Sequence, residues 1–164
     1  MLESLFIFSI CMVFYTYLGY GIFIYLMVKI RGLFSQKNAL SQNFEPEVTL
    51  IVPCFNEASF IETKVANSFK LNYPSNKLKF IFISDGSSDE THQILKKYSN
   101  ILALHQDERK GKANAMNRAM QYVNTSIVVF CDANTLLNEN AIHELVKHYQ
   151  NPKVGAVTLS LIHI

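Results

Sequence analysis

From Ser4 to Val28 the chain runs for 25 residues without a charge, and 20 of them are hydrophobic. About 20 apolar residues suffice for a helix to cross a hydrocarbon core. A cleaved signal peptide fits poorly. The only early charge is Glu3, the apolar core is too long, and no Ala-x-Ala site follows. The length also disfavours a buried core helix. The run therefore predicts one transmembrane helix. Tyr15, Tyr17, Tyr20 and Tyr25 are spread along it, some deeper than the interface belt, which points to contact with other helices as well as lipid.

Lys29, Arg31 and Lys37 flank only the C-terminal end of the run. By the positive-inside rule that end faces the cytoplasm and the N-terminus faces out. The expected location is the cell (inner) membrane, with a single N-terminal span and a cytoplasmic domain. Residues 45–164 carry 12 acidic and 12 basic side chains. A nucleic-acid partner would need a basic domain, so none is expected. Outside the apolar run the hydrophobic content falls to about 43%, an ordinary globular composition. One soluble domain of about 110–120 residues is expected. Cys11, Cys54 and Cys131 are odd in number and share no paired spacing, so they read as buried free thiols, compatible with a reducing side.

The soluble part alternates two periodicities. Strands are predicted at Val48–Val52, stopped by Pro53, and at Lys79–Ile83, Ile101–Leu104 and Ile127–Cys131, with a fifth beginning at Val154–Val157. Between them helical spacing appears over Glu57–Leu71, after a Ser87–Glu90 capping box, over Met116–Val123, and from an Asn138 cap to Asn151-Pro152. Continuous apolar strands alternating with helices imply an α/β fold, a mostly parallel sheet with helices on both faces. In such sheets ligands bind outside the carboxyl ends of the strands.

Those ends carry the chemistry. Pro53-Cys54-Phe55-Asn56-Glu57 follows the first strand and Ser84-Asp85-Gly86-Ser87-Ser88-Asp89 the second. Gln106–Lys112 follows the third, and Asp132-Ala133-Asn134 the fourth. The glycine patterns of the two common phosphate loops are absent. An Asp at a buried strand end can accept hydrogen bonds from a base or ribose. Asp132 and Asn134 can offer oxygens to a hard divalent cation, Mg2+ or Mn2+. Lys112, at a helix N-terminus, can face phosphate. Each element has a plainer reading when taken singly. Asp85-Gly86 is a turn, Asp89 and Asn138 are caps, Arg109–Lys112 is a solvated loop, and Asn56-Glu57 starts a helix. His92, His105, His143 and His148 share no metal-ligand spacing. The joint occurrence at successive strand ends favours a bound nucleotide diphosphate.

In that order and spacing, Val48–Glu57, Ile83–Thr91, Lys110–Asn117 and Phe130–Asn134 resemble the motifs of family 2 glycosyltransferases of the GT-A fold. The resemblance covers about Glu47 to Val157. A cytoplasmic domain behind a membrane helix is similar to the polysaccharide-synthase branch. The resemblance implies a Rossmann-like nucleotide-binding half. It implies that Pro53, Phe55, Asn56 and Glu57 line the base and ribose pocket, that Asp85 binds the base, and that Lys112 and Asn117 lie along the nucleotide. Asp132 would contact ribose or metal. Asn134 stands where the family often has Asp, and a neutral amide is a weaker metal ligand. The implied activity is inverting, metal-assisted transfer from a nucleotide-sugar, a UDP-sugar by this reading, to a saccharide or lipid-linked acceptor. The rival readings are a membrane-tethered nucleotide- or sugar-binding module and a nucleotidyltransferase. The latter would carry a glycine-rich loop where Pro53–Glu57 stands.

The expected organisation is a transmembrane helix and basic flank (1–31), a polar linker (32–46), a truncated GT-A donor half (47–158) and a non-native, adaptor-encoded tail (159–164). The general base is expected beyond the end of the chain, because Glu139 and Glu144 belong to a surface helix.

Overall fold

The computed structural model describes residues 2–34 and 44–159. Lys37, most of the expected linker and residues 160–164 lie outside them. The chain forms two units, an N-terminal helix and an α/β domain.

The first unit is helical from α1 (Leu2–Phe14) through a π-helical turn (Tyr15–Gly19) to α2 (Tyr20–Phe34). Leu2–Arg31 is long and apolar enough to cross a membrane, with a mean hydropathy of 1.8 and no buried residue in its most apolar stretch. In lipid every backbone polar group must be satisfied within the segment, which an unbroken helix achieves. Its hydroxyls are satisfied in the same way. Ser9 Oγ donates to the Leu5 carbonyl at 2.8 Å, and Thr16 Oγ1 to the Met12 carbonyl. At the π turn the Tyr20 N–H reaches back to the Tyr15 carbonyl, and the two rings meet edge-on at 6.4 Å. Cys11 is exposed on this helix rather than buried, since every side chain of a lone helix faces outward.

The second unit is built on β1 (Val48–Cys54), β2 (Leu78–Asp85), β3 (Leu102–Gln106) and β4 (Ile127–Phe130). They form a parallel sheet of order β3-β2-β1-β4. The helices are α3 (Ile61–Phe69), α4 (Thr91–Leu95), α5 (Lys112–Met120) and α6 (Ala141–Val146), the last followed by a 3-10 turn (Lys147–Gln150). Both faces of β1 and β2 are covered, because their side chains alternate between two cores. Leu50, Val52 and Phe82 pack with Ile61, Val65, Leu95, Ile142 and Val146. Ile51, Ile81 and Ile83 pack with Ala115 and Ala119 of α5. Each fully buried aliphatic or aromatic side chain contributes about 1.5–3 kcal/mol. Small residues on α5 let it lie close to the sheet.

Four expectations need correction. The fifth strand is absent: residues 154–159 are irregular, and only Val157 and Leu159 touch the core. Among the described residues no strand pairs with the free edge of β4. Pro53 does not stop β1 but lies within it, opposite Ile83. The Ile51 carbonyl accepts from Cys131 N–H on the β4 side, and Pro53, two residues on, faces the same side after β4 has ended. Its missing N–H therefore breaks no ladder bond. The Ser87–Glu90 capping box does not form. Ser87 turns to Ser84 and Asn56, and Asp89 accepts the Thr91 N–H instead. Finally, residues 57–60 are a turn, so α3 starts four residues later than its periodicity suggests.

Candidate active site

A cleft of about 290 Å³ opens at the carboxyl ends of β1, β2 and β4. The end of β1 contributes Pro53, Cys54, Phe55 and Glu57, and β2 contributes Asp85. The segment before and into α5 adds Arg109, Gly111, Lys112 and Ala115, and the turn after β4 adds Asp132, Ala133 and Asn134. Of the residues singled out in the sequence, Pro53, Phe55, Glu57, Asp85, Lys112, Asp132 and Asn134 are thus brought together. Asn56 and Asn117 are exposed and stand outside the lining.

Asn56 ties two loops together. It holds a left-handed φ of 53°, its N–H donates to Ser87 Oγ at 3.1 Å, and its Oδ1 accepts the Ser88 N–H at 2.9 Å. The next two amides continue the seam. Glu57 N–H donates to Thr91 Oγ1 at 2.9 Å and Ala58 N–H to Asp89 Oδ2 at 2.9 Å. Asp89 is therefore more than a helix cap, since it joins the loop after β1 to the loop after β2. Burial pushes its pKa up, but hydrogen bonds from the Thr91 hydroxyl and the Ala58 and Thr91 amides outweigh that and hold it below the ordinary value.

Asp85 is 4% exposed. Its carboxylate accepts the Gly111 N–H at 2.7 Å and the Lys110 N–H at 3.2 Å. A buried carboxylate at the end of β2 thus sets the path of the loop that begins α5. Two glycines let the chain make that approach. Gly86 has a φ of +69°, and a Cβ there would meet the Arg109 nitrogen at 2.6 Å. Gly111, with φ 89° and ψ 161°, occupies a region essentially reserved for glycine. The same loop stacks the Arg109 guanidinium 3.7 Å from the centroid of the Phe55 ring. Taken singly, Arg109–Lys112 reads as a solvated loop, and Arg109 is indeed exposed even as its guanidinium covers Phe55. The aromatic beside Pro53 and the glycine two residues after Arg109 were the available signals for a wall.

Lys112 opens α5, and its Nζ pairs with Asp132 Oδ1. Both side chains are more than half exposed, so the pair stabilises the fold by little. It does keep a cation on the one carboxylate of the Asp132–Asn134 turn. The Cys54 thiol donates to the Val52 carbonyl at 3.3 Å. Burial first, and the Glu57 charge second, push its pKa up to about 12, against the opposing pull of Lys64. It stays protonated at neutral pH and is no nucleophile. Away from the cleft, His92 and His105 stack with centroids 4.3 Å apart. Among the described residues no three His, Cys, Asp or Glu side chains converge as a metal site. Asp132 and Asn134, both in the cleft lining, could each offer an oxygen to a hard divalent cation whose shell phosphates and water would complete.

Comparison with known proteins agrees with this geometry. A poly-beta-1,6-N-acetyl-D-glucosamine synthase of Staphylococcus aureus (strain COL) is 30% identical over 142 residues, covering 84% of this chain and 34% of that protein. The chain thus spans about a third of the length of the curated relatives it matches. A mannosyltransferase from Pyrobaculum calidifontis, PcManGT, solved with GDP-Man and Mn2+, superposes with a TM-score of 0.75 at 31% identity. That match covers 86% of this chain and 43% of the mannosyltransferase. TarS of S. aureus (residues 1–349) shares the fold, with a TM-score of 0.56 at 22% identity over 60% of this chain and 30% of its own. The parallel sheet with helices on both faces is that of a GT-A fold. The family model described as glycosyl transferase family 2 matches residues 49–164. That span begins in β1 and takes in every later strand, both glycine-dependent loops and the turn after β4, so the chain belongs to glycosyl transferase family 2.

Proposed function

We propose that the protein is a membrane-anchored, inverting glycosyltransferase. It would take a nucleotide-sugar, a UDP-sugar by this reading, and pass the sugar to a saccharide or lipid-linked acceptor in polysaccharide synthesis. The observation that carries the donor site is the buried Asp85 carboxylate, which draws the Lys110–Gly111 backbone over the end of β2. The polysaccharide-synthase relatives and the GDP-Man complex of the mannosyltransferase support the same reading.

In this proposal Pro53, Phe55 and Glu57 wall the base and ribose, with Asn56 holding their loop and Asp85 facing the base. Lys112 leaves Asp132 for the diphosphate, and Asn117 lies further along the nucleotide side of α5. Asp132 and Asn134 would hold a divalent cation, which when bound neutralises charge on the departing diphosphate. The acceptor hydroxyl attacks the anomeric carbon in line, a base takes its proton, and the bond to the diphosphate breaks with inversion. The test is calorimetry of the detergent-solubilised protein. UDP is expected to bind at least about tenfold more tightly than UMP, because Lys112 contacts a phosphate that UMP lacks. Equal affinities would remove the diphosphate subsite, and preferential binding of GDP would replace the uridine assignment.

A cytoplasmic domain (from residue 47) behind a span of the cell membrane (1–31) belongs to the same proposal. It rests on Lys29, Arg31 and Lys37 beside the apolar run. A Ser41→Cys thiol is expected to be protected from impermeant maleimide in intact cells and labelled after lysis. Labelling of intact cells would invert the orientation.

A further inference from the structure

Lys64 lies on α3, outside the cleft, and is fully buried. Lysine is almost never fully buried unless paired, yet no carboxylate among the described residues forms an ion pair with it. Its Nζ donates to Cys131 Sγ at 3.0 Å and to the Thr135 carbonyl at 2.5 Å. Those two residues bracket Asp132-Ala133-Asn134. Three residues on along α3, Asn67 holds the same limb of chain. Its Nδ2 donates to the Leu137 carbonyl at 2.8 Å, and its Oδ1 accepts the Leu137 N–H at 2.9 Å. Asn67 shows that a neutral amide is enough to fasten this limb. What Lys64 adds is charge, at the desolvation cost a buried ammonium carries. Cys131 and Thr135 flank the turn after β4, so the ammonium sits behind that wall of the cleft.

The front of the turn carries one carboxylate, Asp132, and Lys112 sits on it. Asn134 contributes no charge. A second cation behind the turn favours an anion in the cleft and opposes a divalent cation. We propose that Lys64 is a positioning residue that holds the Asp132–Asn134 turn from behind and biases it towards the donor's diphosphate and away from the metal. This rests on the nucleotide reading given above. A unit charge roughly 10 Å away, at an effective dielectric of about 20, changes an ion's affinity by roughly tenfold.

The experiment is UDP calorimetry on the detergent-solubilised protein in EDTA and again in saturating Mn2+, with Lys64→Met and Lys64→Gln beside the unsubstituted chain. In EDTA both neutral variants are expected to bind UDP about tenfold more weakly. The gain in UDP affinity on adding Mn2+ is expected to be several-fold larger in the variants than in the unsubstituted chain. A role confined to packing would weaken binding equally in both conditions, and that result overturns the proposal, as does unchanged binding. Failure of the unsubstituted protein to bind UDP at all overturns the nucleotide reading and this inference with it. Should neither variant fold, the 15N-labelled lysine ammonium spectrum of the unsubstituted protein decides. A slowly exchanging signal that shifts when UDP is added in EDTA supports the assignment, and a signal indifferent to UDP refutes it.

Discussion

Asp85→Ala is expected to weaken UDP binding by at least about thirtyfold. The substitution removes the acceptor of two backbone N–H groups, those of Lys110 and Gly111, in a part of the domain where Asp85 itself is 4% exposed. A buried donor left without an acceptor costs about 1–3 kcal/mol, and the two here are part-buried, so the lower end applies to each. The loop they belong to also carries Arg109 and leads into Lys112, so its displacement takes the cleft wall with it. Asp85→Asn keeps one acceptor oxygen and should fall between the two. Calorimetry with UDP reads the series directly. An Ala variant that binds like the parent would reduce Asp85-Gly86 to an ordinary turn.

Gly86→Ala is expected to destabilise the α/β domain by about 2–5 kcal/mol. The left-handed φ of +69° costs an L-residue about 1–2 kcal/mol. The added Cβ would lie 2.6 Å from the Arg109 nitrogen and 2.8 Å from its Cα, and backbone cannot swing aside as a flexible side chain can. Overpacking of this kind adds about 1–3 kcal/mol. Gly111→Ala is the internal comparison. Its backbone conformation is equally demanding, but nothing lies within 4 Å of the new methyl, so only the conformational cost of about 1–3 kcal/mol applies. Urea unfolding followed by circular dichroism separates the two. Equal midpoints for both variants would show that the contact with Arg109 is not a constraint.

Much of this molecule was legible in the order of its residues, because the relevant forces act over short stretches of chain. The long apolar helix follows from an uncharged run of 25 residues. Strands and helices announced themselves by periodicity, and the carboxylates of the cleft by their place just after each apolar run. Asp85, Lys112, Asp132 and Asn134 could be named in advance for that reason. The errors have local causes too. Ser87 had a cap's identity and spacing, but a better partner waited in Asn56, 31 residues earlier. Pro53 looked like a terminator because ladder bonds on either side of a strand cannot be told apart until its neighbours are known.

Tertiary structure alone decided the strand order β3-β2-β1-β4, and with it which strand ends share a cleft. It decided that the Val154–Val157 run would not be a strand, its Val157 side chain packing on the core without ladder bonds to β4. It set the Arg109 guanidinium over the Phe55 ring, and it turned Asp89 from a cap into a bridge between loops. It also satisfied Lys64 beneath the turn after β4: helical spacing puts position 64 on the buried stripe of α3 with Ile61, Val65 and Ser68, but the groups that accept from its ammonium, Cys131 and Thr135, are supplied only by the packed fold. In each case the deciding partner lies tens of residues away along the chain. Propensity and hydrophobic period measure only what a residue prefers beside its near neighbours, whereas these placements come from hydrogen bonds and charges that exist only once distant segments are packed together.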